Sequence, residues 1–343
     1  MRIPFRRSKG PHWLIEPYLG YGTPSRLVLS GRVLRDRGVI ESSALDSKWR
    51  NLLNTFRRFR TGEVRGARVR AKFRDIETSP ASDAEGYFWI EFELREPLAD
   101  SGSLKVGLEL YSPSGSVAAI STGEVLVPPP SARFGVISDI DDTVVTTNVT
   151  STLGMLATVL FSNAHARTPL KGIAAFYRAL QHGAGSDGNP IFYVSNGPWN
   201  LYGLLVEYFK LNRIPLGPLF LRDFGARMLF HSESRGNQKL LHIERILDTY
   251  ERLPFILIGD RGERDPEIYA EVVERHPGRI RAIYIRSVDR RPERLAALDA
   301  LAAAMTKTTT QFVLAHDSAP AAMHAAAEGY IDPAALPDIR AET

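Results

Sequence analysis

From residue 134 onward, short apolar runs of strand length alternate with stretches of helical periodicity. The strand-like runs lie at 134–140, 190–195, 255–258, 280–285 and 311–315, and the helical stretches lie at 170–182, 199–211, 238–252, 266–276 and 292–305. Apolar strands that are separated by helices are typical of a parallel sheet covered on both faces. The pattern therefore predicts an α/β fold with a parallel sheet for residues 131–343.

The first 130 residues have a different texture. Short runs at 26–33, 66–73, 86–94, 104–111 and 117–120 mix apolar and polar residues and are bounded by Gly, Pro, Ser or Asp. Such runs predict a small antiparallel β-sandwich-like domain, and only 48–59 breaks the pattern with helical spacing. The sequence Val-Pro-Pro-Pro-Ser-Ala at 127–132 is a stiff spacer. We therefore place a domain boundary after residue 130.

Charge is distributed unevenly along the chain. Residues 1–75 hold 18 Lys or Arg and 6 Asp or Glu, a net charge of +12, whereas the remainder has a net charge of −8. Such segregation predicts that the N-terminal part faces an anionic membrane surface, a nucleic acid or the other domain, with a solvated arginine-rich face as the alternative. No basic motif interleaved with aromatic residues is present, so we expect no nucleic-acid partner.

Composition limits the chemistry and the cellular location that we expect for this chain. The chain has no cysteine, which removes disulfide and thiolate chemistry. No apolar run reaches the length of a membrane span, and no apolar stretch of a secretory signal follows the basic N-terminus. We expect a cytoplasmic protein that can contact a membrane peripherally through its basic N-terminal domain.

The first predicted strand of the parallel sheet ends in a group of carboxylates. The sequence there is Asp-Ile-Asp-Asp-Thr at 139–143, and parallel sheets carry their chemistry at the carboxyl ends of strands. Asp139 can attack phosphorus while Asp141, two residues on, gives a proton to the leaving oxygen and later takes one from water. The alternative is a turn in which Asp side chains cap backbone amides.

Two further signals follow along the chain. The second strand ends in Ser-Asn-Gly-Pro at 195–198. There a hydroxyl and the free N–H groups of a helix N-terminus can form a phosphate-binding site. An ordinary helix N-cap is the alternative at this position. Lys239 opens an amphipathic helix and can neutralise a transferring phosphoryl group, although most helical lysines are simply solvated.

The fourth signal is Gly-Asp-Arg-Gly-Glu-Arg-Asp at 259–265. Asp260 and Asp265 supply oxygen ligands of the kind that Mg²⁺ prefers. For Asp265 the alternative is an N-cap before Pro266. Each signal alone is weak, but their joint occurrence in this order, three of them at strand ends, is specific.

The four motifs together resemble those of the haloacid dehalogenase-like phosphatase superfamily. The resemblance implies a Rossmann-like parallel sheet and Mg²⁺ as the cofactor. By position in the motifs, the catalytic residues would be Asp139, Asp141 and Lys239, the metal ligands would be Asp139, Asp141, Asp260 and Asp265, and the phosphate-binding residues would be Thr143, Ser195 and Asn196.

Longer motifs give a closer resemblance. Asp-Ile-Asp-Asp-Thr-Val at 139–144, Tyr-Val-Ser-Asn-Gly-Pro-Trp-Asn-Leu at 193–201 and Gly-Asp-Arg-Gly-Glu-Arg-Asp-Pro-Glu-Ile-Tyr at 259–269 look like the actin-patch-associated phosphatidate phosphatase catalytic-domain family, as a bacterial member. The resemblance implies Mg²⁺-dependent release of phosphate from phosphatidate, giving diacylglycerol through an aspartyl-phosphate. Two alternatives stay open: a phosphatase of a soluble phosphomonoester or a phosphoprotein, and a non-catalytic phospholipid- or protein-binding module.

Segments between the motifs carry further expectations. Residues 146–167 leave room only for a small helical flap, with an apolar face at 153–161. The flap would rest on a membrane, close on an acyl chain or pack on its own domain. Arg222 would bind a second anionic group or form a structural salt bridge. His231 and His242 lack partners at metal-ligand spacing, so we interpret them as structural.

Overall fold

The computed structural model describes residues 12–36, 62, 64–112, 115–140, 172–222, 238–261, 264–286, 298, 302 and 305–342. Several predictions lie outside these residues. They are the helix at 48–59, the flap at 146–167, most of the helical stretch at 292–305, and the roles given to Asp141, Thr143 and His231.

The N-terminal part is one sheet of eight strands. The strands are β1 (His12–Pro17), β2 (Gly20–Thr23), β3 (Arg26–Asp36), β4 (Arg68–Phe73), β5 (Ile76–Thr78), β6 (Tyr87–Glu93), β7 (Gly102–Tyr111) and β8 (Val117–Val127). Their order is β1-β3-β2-β8-β7-β4-β5, with β6 paired to β3. Pairing is antiparallel except between β2 and β8, which are parallel. The prediction of β-structure is confirmed, and hydrogen bonds join these strands into a single mixed sheet.

Alternating burial shows why this sheet forms. In β6, Phe88, Ile90 and Phe92 are buried while the residues between them are more exposed. Successive side chains of a strand point to opposite faces, so one face of each strand can be apolar and the other polar. The apolar faces enclose a common core that includes Leu29 and Val106. Burial of this face, rather than intrinsic strand preference, holds the sheet together.

The C-terminal part contains a second sheet, whose six strands are all parallel. The strands are β9 (Gly135–Asp139), β10 (Ile191–Pro198), β11 (Leu219–Arg222), β12 (Phe255–Asp260), β13 (Ile280–Arg286) and β14 (Gln311–Ala315). Their spatial order is β11-β10-β9-β12-β13-β14. Numbered within this sheet, the order is 3-2-1-4-5-6, as in doubly wound α/β sheets. The prediction of a parallel sheet is confirmed.

Helices cover both faces of this sheet. They are α1 (Ile173–His182), α2 (Tyr202–Leu211, after a 3₁₀ turn at Trp199–Leu201), α3 (Gln238–Thr249), α4 (Asp265–Arg275), α5 (Ser318–Ala327) and α6 (Leu336–Ala341, after a 3₁₀ turn at Pro333–Ala335). One core lies under α1, α2, α5 and α6, and the other under α3 and α4. Of the helices in the described ranges, not one combines the length and the apolar character that a membrane span requires.

The two sheets contact each other through aromatic side chains. Tyr18 stacks on Trp199 with ring centroids 4.6 Å apart and an interplanar angle of 8°, and it also contacts Tyr202 at 4.2 Å. The Leu19 backbone N–H donates to the Tyr202 hydroxyl at 2.7 Å. Tyr18 belongs to the core under α1 and α2, and Tyr21 to the core under α3 and α4. The proline-rich spacer therefore joins two parts that share apolar cores.

Removing the Tyr202 hydroxyl tests this contact. We expect Tyr202→Phe to lower the free energy of unfolding by about 1–3 kcal/mol, because the Leu19 N–H then loses its acceptor in a partly buried position. Denaturant unfolding followed by tryptophan fluorescence measures the change, since Trp199 lies in the contact. A variant with wild-type unfolding energy would show that this hydrogen bond does not stabilise the contact.

Two arginines of the N-terminal sheet, Arg26 and Arg70, are paired with acids of the same sheet. Arg26 contacts Glu91 at 2.7 Å and Glu93 at 3.2 Å, and Arg70 contacts Glu77 at 2.7 Å. Exposed pairs of this kind contribute little stability. They do lower the positive field that these arginines present to an anionic surface.

A glutamate in β1 makes the stability of the N-terminal sheet sensitive to pH. Burial raises the pKa of Glu16 from 4.5 to about 7, and the charge of Arg32 only partly opposes this. Because the folded pKa lies above the unfolded one, the stabilisation is complete below pH 4.5 and is lost as pH rises through about 7.

We therefore expect Glu16→Gln to raise the thermal unfolding midpoint at pH 8 and to leave it unchanged near pH 4, since glutamine resembles the protonated acid. Calorimetry at the two pH values measures the difference. An equal shift at both would mean that the titration of Glu16 is not the cause.

Candidate active site

Asp139 and Asp260 end two neighbouring strands of the parallel sheet. Asp139 is the last residue of β9 and Asp260 is the last of β12, and the two strands are paired. Strand β10, the next along the chain, pairs with one side of β9, whereas β12 pairs with its other side. The boundary between β9 and β12 is therefore a topological switch point. Open parallel sheets bind ligands in the crevice outside such a point.

Lys239 joins two of the predicted acids. Its Nζ donates to Oδ1 of Asp139 at 2.7 Å and to Oδ1 of Asp265 at 2.5 Å. Both aspartates are 0% exposed and Lys239 is 2% exposed. Buried charges persist only when they are paired and hydrogen-bonded. Residues that lie 100 and 26 positions apart in the sequence thus form one buried ionic cluster, and the solvated alternative for Lys239 is wrong.

Asp265 is held by both of its oxygens. Oδ1 accepts from Lys239, and Oδ2 accepts from the backbone N–H of Asp260 at 3.0 Å. Helix α4 begins at Asp265 itself, after Arg264 in the cap position, so the N-cap alternative for Asp265 is wrong. A side chain at Gly259 would place its Cβ 2.5 Å from Oδ2 of Asp265. Because residue 259 is a glycine, the Asp265 carboxylate can approach the end of β12.

Ser195 lies in β10 at the same edge of the sheet. It is 3% exposed, and its Oγ accepts from the backbone N–H of Gly197 at 2.8 Å. Helix α2 begins only at Tyr202, so Ser195 is not the N-cap of that helix. A hydroxyl that accepts from the chain is by its chemistry also a donor, suited to a phosphate oxygen. Asn196, the next residue, is half-buried.

Arg222 and His242 have defined positions. The last residue of β11, Arg222, pairs in register with Pro198, which places its backbone beside the last residue of β10. His242 is half-buried, and its ring lies 5.7 Å from that of Phe220. Desolvation lowers the pKa of His242 to about 4. A neutral imidazole packed on an aromatic ring agrees with a structural role.

Sequence reasoning missed three residues around the carboxylates. Nη1 of Arg286, at the end of β13, lies 3.8 Å from Oδ2 of Asp260. Below Asp139, the Ser138 and Tyr177 hydroxyls lie 2.6 Å apart, and burial raises the pKa of Tyr177. Arg286 had a signal in the sequence, because it ends the strand that follows the one carrying Asp260. Ser138 and Tyr177 had none.

The donors available for a metal are carboxylate oxygens. Asp139 and Asp260 present hard oxygen donors at adjacent strand ends, which is the chemistry of a Mg²⁺ site. Asp265 accepts from Lys239 and from the Asp260 N–H, so its geometry suits an orienting role. Within the described ranges no group of three or more His, Cys, Asp or Glu side chains forms a metal centre. Asp141 lies outside those ranges.

Known proteins are similar to this chain over the residues that carry the motifs. Residues 134–287 match the family model described as phosphatidate phosphatase APP1, catalytic domain. The phosphatidate phosphatase APP1 of Saccharomyces cerevisiae is 36% identical over 154 residues, which cover 45% of this chain and 26% of that protein. An uncharacterized protein of Schizosaccharomyces pombe is 27% identical over 215 residues, which cover 62% of this chain and 35% of that protein. The resemblance predicted from the motifs is confirmed for the matched residues.

The chain spans only 26% and 35% of the lengths of these curated relatives. Among solved structures, a carbohydrate acetylesterase from Xanthomonas citri aligns over 88% of this chain and 69% of its own, with 12% identity and a TM-score of 0.31.

Proposed function

We propose that this chain is a Mg²⁺-dependent phosphatidate phosphatase of the haloacid dehalogenase-like type. It releases phosphate and diacylglycerol through an aspartyl-phosphate on Asp139. The observation that carries the proposal is the buried cluster of Asp139, Lys239 and Asp265 at the switch point of the parallel sheet. Buried acids at a strand mouth cost stability, so their presence supports a catalytic role. The matched residues, 134–287, contain the whole cluster.

The first chemical step would form a bond between a carboxylate oxygen of Asp139 and phosphorus. The bond from phosphorus to the glycerol oxygen breaks at the same time, and Asp141 gives that oxygen a proton, so that diacylglycerol departs. The Lys239 ammonium, 2.7 Å from Asp139, offsets the negative charge on the nucleophile and on the phosphoryl group.

The second step would hydrolyse the acyl phosphate. Asp141 takes a proton from a water molecule whose oxygen attacks phosphorus, and the bond to Asp139 breaks to restore the carboxylate. The Ser195 hydroxyl, with Asn196 and Thr143, holds the non-bridging oxygens in both steps. Most of the rate enhancement comes from positioning and electrostatic stabilisation, as in other phosphoryl transfers.

Mg²⁺, when bound, would supply positive charge that shields the phosphate from Asp139 and Asp260. We expect a chelator to lower phosphate release by at least about a hundredfold, because a metal ion contributes several kcal/mol of charge stabilisation to such a transition state. Adding Mg²⁺ back should restore the rate. Full activity in excess chelator would contradict the metal dependence.

Phosphate release from short-chain phosphatidate and from a panel of soluble phosphomonoesters tests the substrate. The proposal predicts that phosphatidate has the larger kcat/KM and that its turnover needs both Mg²⁺ and Asp139. If only soluble esters react, the chain is a phosphatase with a different substrate. If no ester reacts in the presence of metal, the binding-module alternative takes its place.

We also propose that the phospholipid is reached at a membrane surface. Among the described residues, Arg26 and Arg70 are paired with acids of the same sheet. The rest of the excess positive charge of residues 1–75 lies largely outside the described ranges. Sedimentation with vesicles that contain an anionic lipid, at low and high salt, measures this contact.

A further inference from the structure

A cavity opens at the same edge of the parallel sheet, on the face covered by α1 and α5. Its volume is about 140 Å³. Ile173 and Phe176 of α1, Ile258 of β12 and Ala321 of α5 form part of its wall. The polar residues of the wall come from the end of β13, from the loop before α5 and from the start of α5. A compact apolar cavity with a few polar groups at one end is the usual form of a small-molecule site.

The cavity lies next to Asp260, through residues of β12 and β13. Ile258 lies two residues before Asp260, and residues two apart in a strand point to the same face, about 7 Å apart. Arg286 also belongs to the wall, and its Nη1 lies 3.8 Å from Oδ2 of Asp260. A ligand whose phosphate reaches Asp139 and Asp260 can therefore extend an apolar arm into this cavity.

We propose that this cavity binds the first methylene groups of one acyl chain of the substrate. The inference rests on the proposed function, because phosphatidate carries acyl chains within a glycerol unit of its phosphate. The apolar wall of Ile173, Phe176 and Ile258 would remove methylene groups from water, and each buried methylene contributes up to about a fourfold gain in affinity. The Arg286 guanidinium, at the polar end, suits the ester oxygen next to the phosphate.

Filling the cavity tests the proposal. Ala321 on α5 is 4% exposed and lines the cavity, so Ala321→Leu places a larger side chain in the space. We expect wild-type kcat/KM to rise with acyl length in monomeric phosphatidates from four to eight carbons per chain. In Ala321→Leu the ratio between the longest and the shortest substrate should fall by at least about tenfold. Hydrolysis of p-nitrophenyl phosphate should stay within about twofold of wild type.

Two further variants keep the test clear. Ala325 is buried on the same helix and is not part of the cavity wall, so Ala325→Leu reproduces the overpacking of the core without filling the cavity. Ala315→Val adds less volume from the end of β14 and serves if Ala321→Leu does not fold. We expect Ala315→Val to flatten the dependence on acyl length and Ala325→Leu to retain it.

The outcomes separate the two claims. If phosphatidates are hydrolysed but the length dependence is absent, or is the same in Ala321→Leu and Ala315→Val as in wild type, the cavity does not hold an acyl chain and the phosphatase stands. If p-nitrophenyl phosphate reacts and no phosphatidate does, the proposed substrate is wrong and this inference is overturned with it.

Discussion

The Asp139→Asn variant is expected to lose phosphate release by at least about a thousandfold in kcat, because an amide does not form the acyl phosphate and the remaining groups supply only binding and electrostatic stabilisation. The fold should persist. Asparagine has nearly the volume of aspartate, and Lys239 would keep its contact with Asp265 at 2.5 Å. Phosphate release under saturating substrate and Mg²⁺ measures the loss, and circular dichroism with thermal unfolding checks the fold.

A matched control for this substitution is available in the same domain. Asp187 is a buried acid, 6% exposed, in the loop before β10 and near Arg133. Asp187→Asn makes the same chemical change away from the carboxylate cluster and should keep kcat within about threefold of wild type. A folded Asp139→Asn variant with substantial activity would contradict the mechanism.

The second large effect concerns Lys239. Lys239→Met keeps most of the side-chain length but leaves Asp139 and Asp265 without their cation, and both are fully buried. Breaking a buried ion pair by removing one partner costs about 3–5 kcal/mol, so the metal-free variant should unfold at much lower denaturant concentration. Turnover should also fall, because the nucleophile loses the charge that orients and stabilises it.

Lys210→Met provides the matched control for Lys239. The Lys210 side chain is 53% exposed and contacts Glu207 at 3.0 Å on the surface of α2. Exposed pairs contribute less than about 1 kcal/mol, so this variant should retain wild-type stability. If Lys239→Met is as stable as Lys210→Met, the buried carboxylates of Asp139 and Asp265 do not depend on the Lys239 cation for stability.

Much of the catalytic half could be predicted from the sequence, for a physical reason. A strand buried on both faces, such as β12 with Phe-Ile-Leu-Ile, has to be apolar along its whole length, and the residue at its end is where a polar group first becomes possible. Searching for polar residues at or near strand ends therefore found Asp139, Ser195 and Asp260. The order of the strands then brought them to one edge.

Other elements gave no usable pattern. Strand β11 has only four residues, and α5 is so rich in alanine that it has no polar and apolar faces to compare. The stacking of Tyr18 on Trp199 joins residues about 180 positions apart. No local periodicity reports a contact of that kind, so the proline-rich spacer suggested more separation between the two parts than the structure has.

The contacts that the site residues make with one another could not be predicted from the sequence either. The Lys239 contacts depend on the angle at which α3 and α4 pack on the sheet, which the sequence does not specify. The double hydrogen bonding of Asp265 required Gly259 to leave room for its carboxylate. The resemblance implied that Asp260 and Asp265 hold or orient the metal, but the sequence could not show which contacts fix the Asp265 carboxylate.

Trapping the phosphoenzyme tests the central claim most directly. Short-chain phosphatidate that carries ³²P in its phosphate would be mixed with enzyme and Mg²⁺, quenched in acid within milliseconds and digested for peptide mapping. We predict acid-stable, hydroxylamine-labile label on the peptide that contains Asp139, and no label in the Asp139→Asn variant. Label on Ser195 or on any other residue, stable to hydroxylamine, would contradict the account.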